Sequence, residues 1–221
     1  LPPDHEHSHC FQNRVSLALA QKFKCLEKFT NALEWAGKLR EEMVEPNFYF
    51  NDMNHVLHSL SRFPRPIWFD RSIASSRKFF VRPASGMKTF AGNVYNYDSF
   101  KNEVDFLVQK NVDPRTVMCL VSDVRKILYE YRTIFIDGEY VSGSKYMTNG
   151  QLSVESIVPD DIVEYAKEVH KKYDLPPWIV LDICYTNEHD TRVIELNQIE
   201  TSSFYAADLD KIYYTWSKAQ D

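Results

Sequence analysis

Two neighbouring stretches of sequence, Val180-Leu181-Asp182-Ile183-Cys184-Tyr185 and Arg192-Val193-Ile194-Glu195-Leu196-Asn197, indicate the fold most directly. Both are rich in apolar and β-branched residues, and a short polar segment, 187–190, lies between them. Two strand-like runs around a short polar connection predict a β-hairpin. We expect its turn to be centred between Glu188 and His189, which determines the residues that face each other across the strands.

In this register Asp182 lies opposite Glu195. Like charges directly across a strand pair destabilise a sheet, so we expect a cation between the two carboxylates. Side chains alternate along a strand, and Asn197 therefore shares the face of Glu195. Three converging oxygen donors suit Mg²⁺, which takes one or two carboxylates besides water and phosphate oxygens.

The alternative for this hairpin is an exposed polar face with the register shifted by one residue. Apolar side chains that would give the opposite face to the core favour the metal site: Leu181, Ile183, Ile194 and Leu196.

A second hairpin is centred on Asp137-Gly138, which is among the strongest two-residue turn signals. Centring the turn there places Glu130 opposite Lys145, as a charge pair, and Arg132 opposite Gly143. An arginine that faces a residue without a side chain is open to an anion such as a transferred phosphoryl group, because its planar fork binds two oxygens. An ordinary surface salt bridge is the alternative for Arg132.

A loop of small residues, 84–92, follows the strand-like run 79–83. Small residues let backbone N–H groups approach a phosphate, and Lys88 and Arg82 would add positive charge. The spacing of the glycines is not that of a Walker loop. The loop is therefore either a phosphate-binding loop of another type or an ordinary connection.

The composition excludes several classes of protein. The 221 residues carry 31 Asp and Glu against 26 Lys and Arg, a net charge of −5, which argues against a protein that coats nucleic acid. The longest apolar runs, such as 178–183, fall far short of the ~20 residues that cross a bilayer. The cysteines are scattered, with no Cys-x-x-Cys pair. We therefore expect a cytoplasmic protein with no nucleic-acid or membrane partner.

The remaining pattern predicts an α+β protein dominated by hairpins. A His-rich leader with His5, His7 and His9, either a metal-binding tract or a polar end, precedes predicted amphipathic helices over 14–43. Residues 45–77, interrupted by prolines, form a predicted connector with a short helix near 52–61. Predicted strands follow at 78–82, 89–97, 116–121, 127–136, 139–146, 178–185 and 192–199. Further predicted helices begin at Asp98, as N-cap, and at Pro159, and a last helix covers 206–219.

The order of these features resembles the ATP-grasp superfamily over roughly residues 78–221. The succession comprises a basic residue before proline, a small-residue loop with lysine, a strand that ends in a hinge, Glu-x-Arg before a hairpin, and Asp followed by Glu-x-Asn. Within the superfamily the chain is most similar to the phage and bacterial branch marked by two arginines and a lysine. In this sequence those residues are Arg82, Arg132 and Lys88.

The resemblance implies two hairpin-rich α+β lobes with ATP in the cleft between them. Residues 1–77 would form a helical leader and connector, 78–126 the first lobe with the phosphate loop and hinge, and 127–221 the second lobe with the metal site. The implied activity is ADP-forming ligation of a carboxylate to an amine through an acylphosphate, on small-molecule or peptide substrates. A phosphotransferase, a non-catalytic Mg-ATP-binding module and a structural protein that merely resembles the motif are the alternatives.

The resemblance also implies a role for particular residues. Asp182, Glu195 and Asn197 would bind Mg²⁺, and Arg82 and Lys88 would bind the phosphates of ATP. Arg132 would be the catalytic residue that contacts the γ-phosphate or the acylphosphate. Adenine would lie at the hinge, which comprises Leu120, Val121, Ser122 and Asp123.

Overall fold

The computed structural model of the chain describes residues 32–44, 48–61, 78–84, 89–199 and 202–219. The chain divides into two compact units. Among the described residues, the larger unit contains 34–44, 126–199 and 202–219, and the smaller unit contains 32–33, 48–61, 78–84 and 89–125. The predicted His-rich leader lies outside the described residues.

The helices and strands are numbered here in chain order. They are α1 (Ala32–Lys38), β1 (Phe48–Asp52), α2 (Met53–Ser61), β2 (Phe79–Pro83), β3 (Asn93–Tyr95), α3 (Tyr97–Gln109), β4 (Met118–Ser122), β5 (Ile127–Ile136), β6 (Glu139–Thr148), β7 (Gln151–Glu155), α4 (Asp160–Lys172), β8 (Ile179–Thr186), β9 (Thr191–Asn197) and α5 (Leu209–Lys218). Short 3₁₀ turns lie at Arg40–Glu42 and Pro114–Thr116. None of the helices in the described part of the chain has both the length and the apolar character needed to span a bilayer.

The smaller unit is built on a four-stranded antiparallel sheet in the order β1-β4-β2-β3. Val81 of β2 pairs with Val121 of β4, and both belong to the core beneath α2 and α3. Because side chains alternate along a strand, the neighbouring pair of Arg82 and Leu120 lies on the other face of the sheet.

Two predictions about the smaller unit need correction. The sequence does not predict β1, because Pro46 and the prolines beyond it indicate an irregular connector; its short helix is confirmed as α2. The N-cap of α3 is Asn96 and not Asp98. Asn96 and Ser99 form a reciprocal capping box, so the helix begins one residue before the predicted cap.

The larger unit is built on a five-stranded antiparallel sheet in the order β7-β6-β5-β8-β9. Its two long helices cover opposite faces. Ile134 and Ile136 of β5 pack in the core cluster that contains Ile212 of α5. Phe135, between them, stacks on His170 of α4 with ring centroids 4.5 Å apart. Since alternate residues of β5 point to opposite faces, the side chains two residues before Ile134 lie on the face of α5.

The segment 34–44 belongs to this larger unit. Trp35, Leu39 and Met43 are buried, at the i, i+4 and i+8 positions of one face. Met43 forms a parallel bridge with Val193, and the Val44 N–H donates to the Val193 carbonyl at 2.8 Å, so the segment extends the sheet beyond β9. The Glu42 carboxylate accepts hydrogen bonds from α4 and the residue after it: Tyr165, Lys172 and Tyr173.

A β-bulge in β6 corrects the predicted register of the second hairpin. Phe135 pairs with Tyr140 but Ile134 pairs with Ser142, so Val141 is an extra residue in β6. Arg132 therefore lies opposite Ser144, and Gly143 lies opposite Thr133. The absent side chain of Gly143 does not open a path to Arg132. A Cβ atom there would instead meet the Arg132 carbonyl oxygen at 2.7 Å and Val158 Cγ2 at 2.9 Å.

Gly143→Ala is expected to lower the free energy of unfolding by about 1–3 kcal/mol, because a backbone oxygen cannot yield as a flexible side chain can. Gly37→Ala in α1 is the matched control. A Cβ there meets nothing within 4 Å, and alanine favours a helix over glycine by up to about 1 kcal/mol. Urea unfolding of both variants measures the difference. Equal stability of the two variants would contradict the packing around Gly143.

Candidate functional site

The predicted pairing of Asp182 with Glu195 is confirmed. Asp182 lies in β8 and is fully buried, and Glu195 lies opposite it in β9. The Asn197 amide nitrogen donates to Asp182 Oδ2 at 3.1 Å and to Glu195 Oε1 at 2.9 Å. The three side chains therefore converge on one face of the sheet, as alternation along β9 predicts.

A register shift between Asp182 and Ile183 changes the hairpin on the turn side of the site. Ile183 pairs with Val193, so Ile194 is the extra residue in β9. The prediction that Ile194 faces the core is therefore wrong. Val193 is fully buried in its place, and Ile194 is half-buried.

Arg132 binds the predicted metal ligand Asp182 directly. Its Nε donates to Asp182 Oδ1 at 2.8 Å and its Nη2 donates to Oδ2 at 2.7 Å, a bidentate pair between neighbouring strands. Its Nη1 donates to the Ser203 carbonyl at 2.9 Å. Burial lowers and the Asp182 carboxylate raises the pKa of Arg132, and the net shift is upward, so the guanidinium keeps its charge.

Two stacked tyrosines border Arg132. The rings of Tyr146 and Tyr205 are nearly parallel, with centroids 5.0 Å apart. Burial raises the pKa of both phenols, and that of Tyr146 lies well above its ordinary value. Tyr205 adopts a left-handed backbone conformation, φ 51°, that is uncommon outside glycine and asparagine. Both phenols are therefore neutral at physiological pH.

Glu130 is a site residue that the sequence analysis assigns wrongly. It does not pair with Lys145, which instead binds Glu155 of β7. Its carboxylate accepts a hydrogen bond from the Tyr146 hydroxyl at 2.8 Å. Burial raises its pKa against the effect of that hydrogen bond, and the charges of Asp182 and Glu195 raise it further. Its position two residues before Arg132 is the signal that could have placed it on the face of the site.

The predicted nucleotide-binding residues lie in or beside the sheet of the smaller unit. Arg82 in β2 is buried, and Leu120, Val121 and Ser122 are buried in β4. Asp123 follows the end of that strand and is exposed. Val121 is turned into the helix-covered core, unlike its neighbours in the strand. Lys88 lies outside the described residues.

The donor set of the larger unit fits a small divalent cation. Asp182 and Glu195 each place a carboxylate oxygen within 3.1 Å of the same Asn197 nitrogen. Exchange of the amide nitrogen and oxygen of Asn197 would present an oxygen at that point, since the two atoms are assigned from the hydrogen-bond network. Hard oxygen donors of this kind suit Mg²⁺. The described residues contain no metal-binding group of three or more His, Cys, Asp and Glu, so the candidate site depends on the amide.

A family model for an ATP-grasp domain, family 2 of the clade designated by two arginines and a lysine, matches residues 63–215, well over half of the chain. The chain therefore belongs to this family of ATP-grasp domains, and its fold is the predicted ATP-grasp fold. Asp182, Glu195, Asn197 and Arg132 all lie within the matched range.

Solved structures share this fold. The ATP-grasp ligase PsnB complexed with minimal precursor, Mg and ADP is 12% identical with a TM-score of 0.52, over 86% of this chain and 59% of that chain. D-alanine--D-alanine ligase from Bacillus anthracis is 15% identical with a TM-score of 0.55, over 89% and 65%. D-cycloserine synthetase DcsG is 15% identical with a TM-score of 0.51, over 88% and 69%.

At these identities the likeness shows the fold alone. The chain spans about 60% of the length of the PsnB structures that it matches. No curated protein matches the sequence.

Proposed function

We propose that this chain is an ATP-dependent ligase that activates a carboxylate as an acylphosphate and joins it to an amine. Asp182, Glu195 and Asn197 would hold the Mg²⁺ that accompanies ATP. The convergence of these three side chains on one face of the sheet is the observation that carries the proposal. Membership of the ATP-grasp family and the likeness of the fold to that of several ligases support it.

The chain contributes position and charge to the reaction. Bound Mg²⁺ would stabilise negative charge on the phosphate oxygens during phosphoryl transfer. Burial in β8 holds the Asp182 carboxylate in one orientation, and Asn197 spaces it from Glu195. In the smaller unit, Arg82 and Lys88 would bind phosphates, and the segment 120–123 would bind adenine. Phosphoryl transfer depends mainly on such positioning and electrostatic stabilisation, so no protein nucleophile is needed.

The proposed reaction has two steps. An oxygen of the substrate carboxylate attacks the γ-phosphorus of ATP, the bond to the β–γ bridging oxygen breaks, and ADP leaves. The amine nitrogen then attacks the acyl carbon, phosphate leaves with the C–O bond electrons, and the nitrogen loses a proton. The products are ADP, phosphate and an amide, from small-molecule or peptide substrates.

Hydroxylamine trapping tests this proposal. We expect ADP release with a panel of amino acids and small peptides in the presence of Mg²⁺, and a hydroxamate when hydroxylamine replaces the amine. The hydroxamate requires an acylphosphate, because hydroxylamine displaces phosphate from the activated acyl group. Omission of Mg²⁺ is the control, and it should abolish both signals.

The two alternatives within the fold give different results in this assay. A phosphotransferase would release ADP and leave a stable phosphorylated acceptor without hydroxamate. A non-catalytic nucleotide-binding module would bind Mg-ATP and release no ADP with any substrate of the panel. Either result would contradict the ligase.

A further inference from the structure

Arg132 has a set of contacts that a phosphate-binding arginine would not need. Three of its N–H groups already donate to protein oxygens, two on Asp182 and one on the Ser203 carbonyl. Its exposed fraction is only 7%. The planar fork that would bind two phosphate oxygens is thus aligned on a carboxylate of the protein.

Aromatic rings enclose the same guanidinium. Its central carbon, Cζ, lies 5.3 Å from the ring centroid of Tyr146 and 5.2 Å from that of Tyr205. These are cation–π distances, and such contacts strengthen when the cation is removed from water. The rings and the Asp182 carboxylate together restrict Arg132 to one arrangement.

Arg132 also connects the cation site to the segment 202–208, which we name the β9–α5 loop. The Ser203 carbonyl accepts from Arg132, and Tyr205 supplies one of the rings. Two serines of β6 hold the rest of the loop: Ser144 Oγ accepts from the Ala206 N–H, and Ser142 Oγ accepts from the Asp208 N–H. All of these residues belong to the larger unit.

We propose that Arg132 is a positioning residue of the cation site: its guanidinium orients the Asp182 carboxylate and joins it to the β9–α5 loop. The inference rests on the proposed function, since it concerns the cation that Asp182 would bind. The hydrogen-bond partners of metal ligands orient those ligands, and their loss typically weakens metal binding about 10–100-fold. A residue in this role acts through Asp182 and not by contact with the transferred phosphoryl group.

Arg132→Lys separates the two roles. Lysine keeps the positive charge but has a single nitrogen, which cannot bind both Asp182 oxygens and the Ser203 carbonyl in the arginine geometry. We expect the half-saturating concentration of Mn²⁺ to rise about tenfold or more, measured from the electron paramagnetic resonance of free Mn²⁺ with a non-hydrolysable ATP analogue present.

Arg192→Lys is the matched control. Arg192 in β9 has a similar set of partners, since its Nε donates to Asp190 Oδ2 and its Nη1 to the Glu41 carbonyl, but it does not contact Asp182. We expect the half-saturating Mn²⁺ concentration of this variant to stay within about twofold of the wild-type value, the range of an ordinary surface ion pair.

Hydrogen exchange provides a readout that does not depend on the metal. In Arg132→Lys the amides of the β9–α5 loop should exchange faster than in the wild-type chain, because the Ser203 carbonyl loses its donor. The corresponding amides of Arg192→Lys should exchange at the wild-type rate. Unchanged loop exchange in a folded Arg132→Lys chain would overturn the proposed link.

Tyr205→Asn provides a second test if Arg132→Lys does not fold. Asparagine tolerates the left-handed backbone of this position and removes the ring beside Arg132. We expect the half-saturating Mn²⁺ concentration to rise about threefold, with faster exchange of the loop amides.

The failures of this inference and of the proposed function are distinguishable. Wild-type chain that binds no Mn²⁺ with the nucleotide would overturn both. Wild-type binding with unchanged Mn²⁺ affinity in folded Arg132→Lys or Tyr205→Asn would overturn only the positioning role. Reduced turnover of Arg132→Lys at unchanged Mn²⁺ affinity would instead assign Arg132 to the phosphoryl group.

Discussion

Glu195→Gln is expected to lower Mg²⁺-dependent ATP turnover by about 10²–10³-fold, the usual effect of losing one electrostatic contact to a developing charge. Glutamine keeps the shape of the side chain but removes the charge that would bind the cation. Glu195 is only half-buried on β9, so the substitution should leave the urea unfolding midpoint close to that of the wild-type chain.

Glu164→Gln is the control for this prediction. Glu164 is exposed on α4 and pairs with Lys167 on the same helix, away from the converging side chains of β8 and β9. Steady-state ADP release of the two variants should therefore differ by the full effect of Glu195. Near-normal turnover of Glu195→Gln would contradict the assignment of a metal ligand at this position.

Asp182→Asn is expected to abolish turnover and, unlike Glu195→Gln, to destabilise the chain by about 3–5 kcal/mol. Asp182 is fully buried and forms both bonds to the Arg132 fork. Its loss leaves a buried guanidinium without its counter-charge. Urea unfolding followed by circular dichroism measures the stability, and ADP release measures the activity.

A double variant isolates the two effects. Replacing the pair with apolar residues of similar size, Asp182→Leu with Arg132→Met, should recover most of the lost stability, because no charge is left buried alone. Turnover should stay absent, since the metal ligand is not restored. A single Asp182→Asn variant as stable as the wild-type chain would contradict the buried pair.

The register at the candidate metal site is predictable from the sequence because several signals agree. Apolar alternation, a short polar turn and the improbable juxtaposition of two carboxylates all place Asp182 opposite Glu195. The turn side of the same hairpin is predicted less well. The bulge at Ile194 follows from local backbone geometry that has no distinct sequence signal, and a single extra residue reverses which of Val193 and Ile194 is buried.

The surroundings of Arg132 are not predictable by pairing within one hairpin. The bulge at Val141 shifts its partner from Gly143 to Ser144. Its strongest contacts come from outside that hairpin, with Asp182 fifty residues further along and Ser203 seventy-one residues further along. Only the order of strands in the sheet, with β5 beside β8, brings these groups together.

The smaller unit shows what helical and strand periodicity can and cannot establish. Periodicity predicts β2, β4, α2 and α3, which are confirmed. It does not predict β1, whose only pairing is with β4, almost seventy residues later in the chain. The segment 34–44 is a similar case, because its partner β9 is distant in sequence. The roles of Arg82, Lys88 and the segment 120–123 stay predictions.

The anomalous scattering of Mn²⁺ in a crystal grown with a non-hydrolysable ATP analogue tests the central claim most directly. We expect an anomalous peak within coordination distance of oxygen atoms of Asp182, Glu195 and Asn197, with nucleotide phosphate oxygens completing the shell. A nucleotide-bound Mn²⁺ held by other residues, with the Asp182 and Glu195 carboxylates outside its coordination sphere, would contradict the account.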